Sequence, residues 1–590
     1  MAKLKKIKEF SAGVYDAEIT NLSDDITRFY TECSIKIQGI YAQQTIDLKI
    51  KTVTDGHEDI IFTQKFSLGE ETRTIGPFKI DRKCKLSIGG KVIGHWNHWA
   101  DCKIESIMSY DESAMKTLRI GVFFDGTGCN AYNSLKHQAS FSSGLQFRQS
   151  LYASIGDCVI PKAYFYNKET SKVSCTTNIW KLYQSFQEGQ IDSRIYQVKT
   201  YVEGSGTKAG ETDSVFTMAT GWSAPLTTQT GVIAKTDDAV QQIKNLLAGL
   251  DADFERVELC LFGFSRGATS ARHFANRVEN QDRNLLAVFD TQKYGVPEIR
   301  FIGLFDSVAS ILALSQWDVD VGDSKTGDVN IALDDATAAD IFHITAAHEA
   351  RENYSLNHVT PNYAKELQLP GVHADIGGFY HDMLQEKLYL TQILYSSSWS
   401  KMRIEDTSSY KLTSAARDKL LSHARWGKIF QICDVNVSSD VLDRPFLSTL
   451  YANAVQLKRD AVYNGLERVS FQAMRHYCEQ IGLSFTKLPD EPVEMIPDDL
   501  QDLHQKAVQE VDRILNGQEA RSLADALPPE VAAKYIHNSS FWDEMPTSWV
   551  VSDHGIIDEV TFNLLLTNRP HDSYSRREYH ADGTVFLPGK

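Results

Sequence analysis

Three runs of almost unbroken apolar residues stand out in the middle of the chain: Leu118 to Phe124, Val257 to Phe262 and Ile299 to Phe305. Each ends at a glycine, serine or aspartate. Runs of this length, bounded by turn residues, predict strands buried on both faces. Ile195 to Val202 and Glu366 to Leu369 add two further strand candidates. Between the strands, apolar residues fall at helical spacing over 178–187, 238–250, 267–280 and 336–353. This alternation predicts an α/β core with a mostly parallel sheet and helices on both faces, in which sites collect at strand carboxyl ends. Asp125, Ser265 and Asp306 stand at such ends.

The flanks read differently. Residues 14–108 hold short alternating or β-branched stretches, among them Ser34 to Ile37, Thr45 to Lys51, Ile60 to Phe66 and Lys85 to Ile88. They predict a β-rich N-terminal domain over 1–115, sandwich-like in form, with a docking or supporting role. Its His95-Trp96-Asn97-His98-Trp99 is a weak candidate for a metal pair and more simply a packed strand end. The catalytic core is assigned to 116–380. From 381 to 545 helical spacing dominates, notably over 414–430, 460–482 and 499–516, which predicts a helical cap or insertion. The aromatic and aliphatic residues from Phe379 to Trp399 read mainly as its core, with an exposed fraction available to lipid. The last segment, 546–590, returns to strand character at Trp549-Val550-Val551 and Thr584 to Leu587.

Composition narrows the classes. A chain of 590 residues with 42% hydrophobic and 23% charged residues is a multidomain globular protein. A net charge of -16 disfavours nucleic acid as a partner, since a polyanion is repelled. The basic start, Met1 to Lys8, has no apolar stretch after it, so no cleavable signal peptide is expected, and no apolar run is long enough to span a bilayer. The nine cysteines are scattered without a Cys-x-x-Cys pair, which suits synthesis in a reducing compartment and argues against zinc.

The candidate chemistry centres on Gly263-Phe264-Ser265-Arg266-Gly267, placed between the strand at 257–262 and a helix-compatible stretch. Glycines on both sides let the backbone turn sharply and present the hydroxyl over a helix N-terminus: a nucleophile elbow. A serine nucleophile needs a base, and the base an orienting carboxylate; in the α/β-hydrolase fold the order is Ser, acid, His. Asp306, closing the strand at 299–305, is the acid candidate, against a reading as helix N-cap. His373, in Pro370-Gly371-Val372-His373-Ala374-Asp375-Ile376-Gly377-Gly378, is the base candidate, with His571 and His554 as rivals. Asp375 is expected to brace the His373 loop, and a metal set of His373, Asp375, His381 and Asp382 is the weaker alternative. The oxyanion donors expected are the amide of Arg266 and those of Gly126 and Thr127 in the loop after the first core strand. That loop lacks the spacing and lysine of a phosphate-binding P-loop.

Together, Phe123-Phe124-Asp125-Gly126-Thr127-Gly128, Gly263 to Ala268, Leu304-Phe305-Asp306-Ser307-Val308 and Pro370 to Gly378 resemble the lipase effectors of bacterial type VI secretion. Thr177-Asn178 and Tyr201 to Thr207 are similar to lesser marks of that family. The resemblance covers about 117–380 and implies an α/β-hydrolase with phospholipase A activity and a triad of Ser265, Asp306 and His373. It implies no cofactor, a membrane phospholipid substrate, an immunity protein in the producer, and a secretion spike or adaptor as carrier. It also implies export without a signal peptide and action in the periplasm or at the membrane of a target cell. The competing classes are an intracellular metabolic esterase and a catalytically idle hydrolase fold serving as an adaptor.

Overall fold

The computed structural model describes eight N-terminal strands between residues 6 and 103. It further describes 116–132, 176–209, 229–250, 254–289, 297–311, 326–333, 337–359, 365–442, 448–488, 494–542 and 568–580, with short pieces at 164–165, 217, 221, 223 and 583–586. The N-terminal strands form two antiparallel four-stranded sheets. One runs in the order Lys6–Ser11, Tyr15–Asn21, Tyr30–Gly39, Arg73–Asp81, and the other His57–Leu68, Gln44–Thr54, Lys85–Val92, His98–Lys103. The four strand candidates of this region each fall inside one of these strands.

The core sheet has seven strands: β1 (Thr117–Phe124), β2 (Gly189–Gln190), β3 (Ile195–Val202), β4 (Arg256–Phe264), β5 (Glu298–Phe305), β6 (Ile341–Ala346) and β7 (Glu366–Leu369). Their order is β2-β3-β1-β4-β5-β6-β7, parallel throughout except for the short edge pair β2 and β3. The continuous apolar runs have the physical cause expected of them, because the two faces of β1 and β4 are buried in different cores. Leu118, Ile120, Val122 and Phe124 of β1 pack with Val257, Leu259 and Leu261 of β4 beneath α2 (Val232–Ala248) and α3 (Arg266–Glu279). Phe123 and Phe262 stack at 4.6 Å on the opposite face, under α1 (Asn178–Ser185).

One core element departs from its expectation. The stretch 336–353, expected to be helical, forms β6 instead. Ile341 to Ala346 is buried along its whole length between β5 and β7, and apolar patterning over a short, fully buried stretch does not distinguish helix from strand.

The segment taken for a helical cap is mixed. It carries α5 (Ser408–Leu421), α6 (Gly465–Gln480), α7 (Gln501–Leu515) and α8 (Pro529–Tyr535), following the short α4 (His373–Gly377). It also contributes an antiparallel sheet of β8 (Met383–Tyr389), β9 (Leu394–Ser398), β10 (Asp434–Leu442) and β11 (Thr449–Tyr463), with Tyr164–Phe165 at one edge. In β8 the alternate residues Leu384, Glu386 and Leu388 are buried, a period of two that the aromatic density of this stretch masks. Nor does the segment form a detached cap: α6 and α7 pack on β6, β7 and α4 in the same hydrophobic cluster as Phe262 and Phe301. The candidate strand at 549–551 lies outside the described residues.

Candidate active site

Ser265 sits between β4 and α3 with φ 56° and ψ −126°, a conformation that a non-glycine residue adopts only where the surroundings impose it. The neighbouring glycines are demanded by contact. A Cβ on Gly263 would lie 2.5 Å from Ala268 Cα, and one on Gly267 would lie 2.3 Å from the Phe124 carbonyl oxygen. The elbow is thus wedged against the ends of β1 and α3. A Gly267→Ala variant is expected to lose at least about 1–3 kcal/mol of stability and most of any activity, because the obstructing atoms are backbone. Thermal melting alongside ester hydrolysis checks this. Ser265 itself is 1% exposed.

The ends of the next strands converge on the elbow. The Ser265 amide donates to the Phe305 carbonyl at 3.1 Å, which sets Asp306 beside it. Asp306, at φ 40°, accepts from the Ala346 amide through Oδ1 at 2.8 Å, and its Oδ2 lies 2.6 Å from His373 Nδ1. Its carboxylate is therefore committed to β6 and the imidazole, and does not cap a following helix. His373 begins α4 and is fully buried; its amide donates to Glu349 Oε2 at 3.2 Å. The ring is held between Phe264, 4.6 Å away between centroids, and the edge of Tyr354 at 5.1 Å. Because Phe264 immediately precedes Ser265, this contact places the imidazole beside the elbow. An ionised Asp306 requires the proton on Nδ1, which leaves the Nε2 lone pair as the basic one.

Arg576 was not anticipated. Its guanidinium grips Asp306 with both arms, Nη1 to Oδ2 at 2.7 Å and Nη2 to Oδ1 at 2.6 Å, and also donates to the Ala346 carbonyl. Burial alone would raise the Asp306 pKa, but Arg576 and His373 hold it far below the usual carboxylate range. Glu349 is likewise buried, and its paired Arg351 brings it down to about 2. Asp375 braces its loop as expected: Oδ2 accepts from the Val372 and His537 amides, and Oδ1 meets His537 Nδ1 at 2.6 Å. No motif signals the roles of Arg576, Glu349 or His537, which arise from contacts between segments distant in sequence.

The loop after β1 abuts the elbow. Asp125 accepts from Thr177 Oγ1 at 2.7 Å, Tyr201 Oη at 2.5 Å and the Gly126 amide at 2.8 Å. Thr177 and Tyr201, which the sequence marks only as minor similarities, thus both serve to fix this loop. The Gly126 amide is spent on Asp125 rather than directed at a substrate. Thr127 lies against the residue after Ser265, its Oγ1 accepting from Arg266 Nε at 2.5 Å. Two residues on, Cys129 is disulfide-bonded, whereas Cys260, Cys433 and Cys478 are free thiols. His571 is placed away from Asp306, its Nδ1 at 2.7 Å from Ser573 Oγ. His554 lies outside the described residues.

Behind Ser307 runs a second chain of titratable groups. His343 Nε2 accepts from the Ser307 amide at 3.0 Å, and Glu366 links His343 Nδ1 at 2.8 Å to His358 Nδ1 at 2.6 Å. His358 Nε2 in turn meets Glu578 at 2.9 Å. Burial disfavours the imidazolium of His358, but Glu366 and Glu578 push its pKa up to about 9. A raised folded-state pKa contributes stability that is complete below about pH 6.5 and lost as pH rises through about 9. The wild type is expected to lose on the order of 3 kcal/mol across that window and His358→Gln to lose little, as followed by melting temperature against pH.

A mostly parallel sheet with a strained Gly-x-Ser-x-Gly turn at its carboxyl edge and a histidine–carboxylate pair alongside brings a hydroxyl, an imidazole and a carboxylate together on an α/β scaffold. Residues 165–282 and 276–400 match the catalytic domain of the Tle1-like phospholipase effectors of the type VI secretion system. The structure of a Tle1 effector bound to the VgrG spike of that system is similar over 79% of this chain and 94% of its own, at TM-score 0.59 and 25% identity. A crystal structure of an uncharacterized protein from Pseudomonas aeruginosa aligns over 71% of this chain and 57% of its own, at TM-score 0.31 and 16% identity. No curated protein matches. Residues 165–400 are thus similar to a Tle1-like phospholipase-effector catalytic domain, and both likenesses support a type VI secretion phospholipase effector.

Proposed function

We propose that the protein is a serine phospholipase of the A type, using Ser265 as nucleophile, His373 as base and Asp306 as orienting acid. The observation that carries this reading is the 2.6 Å contact between Asp306 and His373, with the imidazole packed on Phe264 one residue from the strained serine. His373 takes the Ser265 proton as the hydroxyl attacks an acyl ester of a glycerophospholipid, then returns it to the departing lysolipid oxygen; water repeats the cycle on the acyl-enzyme. The amides of Arg266 and Thr127 are the donors proposed for the oxyanion, in place of the Gly126 amide engaged by Asp125.

The deciding experiment is fatty-acid release from phospholipid vesicles by the wild type and by Ser265→Ala, with lysolipids identified by mass spectrometry. Serine-dependent release supports the reading, and the lysolipid names the acyl position cut. Hydrolysis confined to soluble short esters would instead support a metabolic esterase.

No described helix is long and apolar enough to cross a membrane. The candidate lipid contact is the turn after β9, where Trp399 is 84% exposed and Met402 is 43% exposed. Tryptophan favours the membrane–water interface. Trp399→Ser is expected to weaken vesicle binding several-fold while leaving soluble-ester hydrolysis intact, as read by co-sedimentation. The VgrG complex of the similar effector supports a spike as carrier; action in the periplasm or at the membrane of a target cell, and an immunity protein in the producer, belong to the same proposal.

A further inference from the structure

The C-terminal segment enters the candidate site as a strap. Backbone hydrogen bonds fasten it along residues 349–358: His571 N to Ala350 O at 2.8 Å, Arg576 N to Glu349 O at 3.3 Å, Leu356 N to Arg577 O at 3.0 Å and His358 N to Tyr579 O at 2.9 Å. Two side chains two residues apart then reach inward. Glu578 meets His358, and Arg576, with 2% of its side chain exposed, closes both arms on the Asp306 carboxylate. A planar guanidinium in bidentate contact fixes the plane of a carboxylate as well as its charge.

We infer that Arg576 is a positioning residue for the reaction, holding Asp306 in the plane and the ionised state in which it orients His373, so that the C-terminal strap is a working part of the catalytic centre. The inference rests on the serine-triad reading. Among the described residues Asp306 has three partners, the Ala346 amide, His373 and Arg576, and of these Arg576 alone brings a permanent positive charge. Without it, a fully buried carboxylate would have one amide and one imidazole for support, and its plane could rotate about χ2. The guanidinium also shares the negative charge of Asp306, so its removal favours the imidazolium of His373 and the neutral acid of Asp306 alike. Both shifts carry the active protonation state to higher pH. Other charged groups face the cluster: Glu349, which accepts from the His373 amide, its partner Arg351, and the His343–Glu366 pair behind Ser307. Their own hydrogen bonds do not involve the Arg576 side chain, although Glu349, like Glu578, lies within reach of its charge.

The test compares the full-length wild type with Arg576→Met, Arg576→Lys, Glu578→Gln and Ser265→Ala on phospholipid vesicles and a soluble ester, across pH. Arg576→Met is expected to lower kcat about a hundredfold with KM little changed, and to move the acid limb of kcat/KM to higher pH. Arg576→Lys, which restores the charge without the fork, is expected to recover part of kcat and return the acid limb towards its original position. Glu578→Gln loosens the same strap without touching Asp306, so a lower melting temperature with an unmoved acid limb is expected. An unchanged kcat and acid limb in Arg576→Met would overturn the inference. So would a loss of activity that tracks melting temperature, leaves the acid limb in place and is not relieved by lysine. Equal hydrolysis by wild type and Ser265→Ala would bring down the serine reading itself, whereas serine-dependent activity indifferent to residue 576 would remove this inference alone.

Discussion

Replacing Ser265 by alanine is expected to reduce phospholipid hydrolysis by roughly a millionfold while the protein remains folded. The chemical side of this expectation is that, among the described residues, no other hydroxyl stands on a strained turn at the end of β4, over the N-terminus of α3 and beside the Phe264 ring that packs on His373. Residues that act as one unit lose nearly all of their joint effect when the nucleophile goes, and what survives comes from binding and oxyanion contacts. The structural side is that Ser265 holds its place through backbone bonds, to the Phe305 carbonyl and from the Thr269 amide, which alanine preserves. Alanine at φ 56° bears the same Cβ as serine and adds no new strain. Fatty-acid release and a melting curve measured together check both halves. Release above about a thousandth of the wild-type rate would move the nucleophile elsewhere.

Asp306→Asn should be almost as damaging to activity and far more damaging to stability. An amide opposite Nδ1 no longer demands the Nδ1–H tautomer, and loss of that constraint in a triad costs about ten-thousandfold in kcat. The same change strips Arg576 of its counter-charge while leaving the guanidinium buried. Breaking a buried pair from one side costs about 3–5 kcal/mol, because the remaining ion is uncompensated. Denaturant melts and vesicle assays should therefore move together for Asp306→Asn and separately for Ser265→Ala. The wild type carries the corresponding acid sensitivity. With its folded pKa depressed, Asp306 contributes stability that is present above the ordinary carboxylate value of about 4 and lost as pH falls below it. Neutral or mildly alkaline assays keep the pair intact.

The two variants also distinguish what each part of the chain contributes. The elbow is local: Gly263, Ser265 and Gly267 lie within five residues, and the contacts that demand glycine arise wherever a strand turns into a helix this tightly. The acid is assembled from four distant pieces: the end of β5, the amide at Ala346, the start of α4 and the strap at Arg576. Perturbing the second kind of construction reaches further through the structure.

The same division governs how much was legible without coordinates. The core strands declared themselves because burial on both faces of a parallel sheet leaves almost no polar position, and that constraint acts residue by residue along the chain. Ser265 and Asp306 could be placed at strand ends for the same reason, since a polar residue closing an apolar run is conspicuous, whereas His373 was marked by the proline and glycines around it. The Thr177 and Tyr201 marks were visible too, but not their shared target, Asp125. What the sequence alone did not reveal depends on pairing between distant segments. Apolar spacing cannot distinguish a short buried strand from a helix, so β6 was read as helical and the alternation in β8 went unseen beneath its aromatics. Nothing in the sequence marks Arg576 or His537, Glu349 falls in a stretch misread as helical, and a lone arginine in a polar loop looks like any solvated charge. Only the tertiary fold carries residue 576 across 270 positions to Asp306, and burial at the meeting point makes the charge consequential.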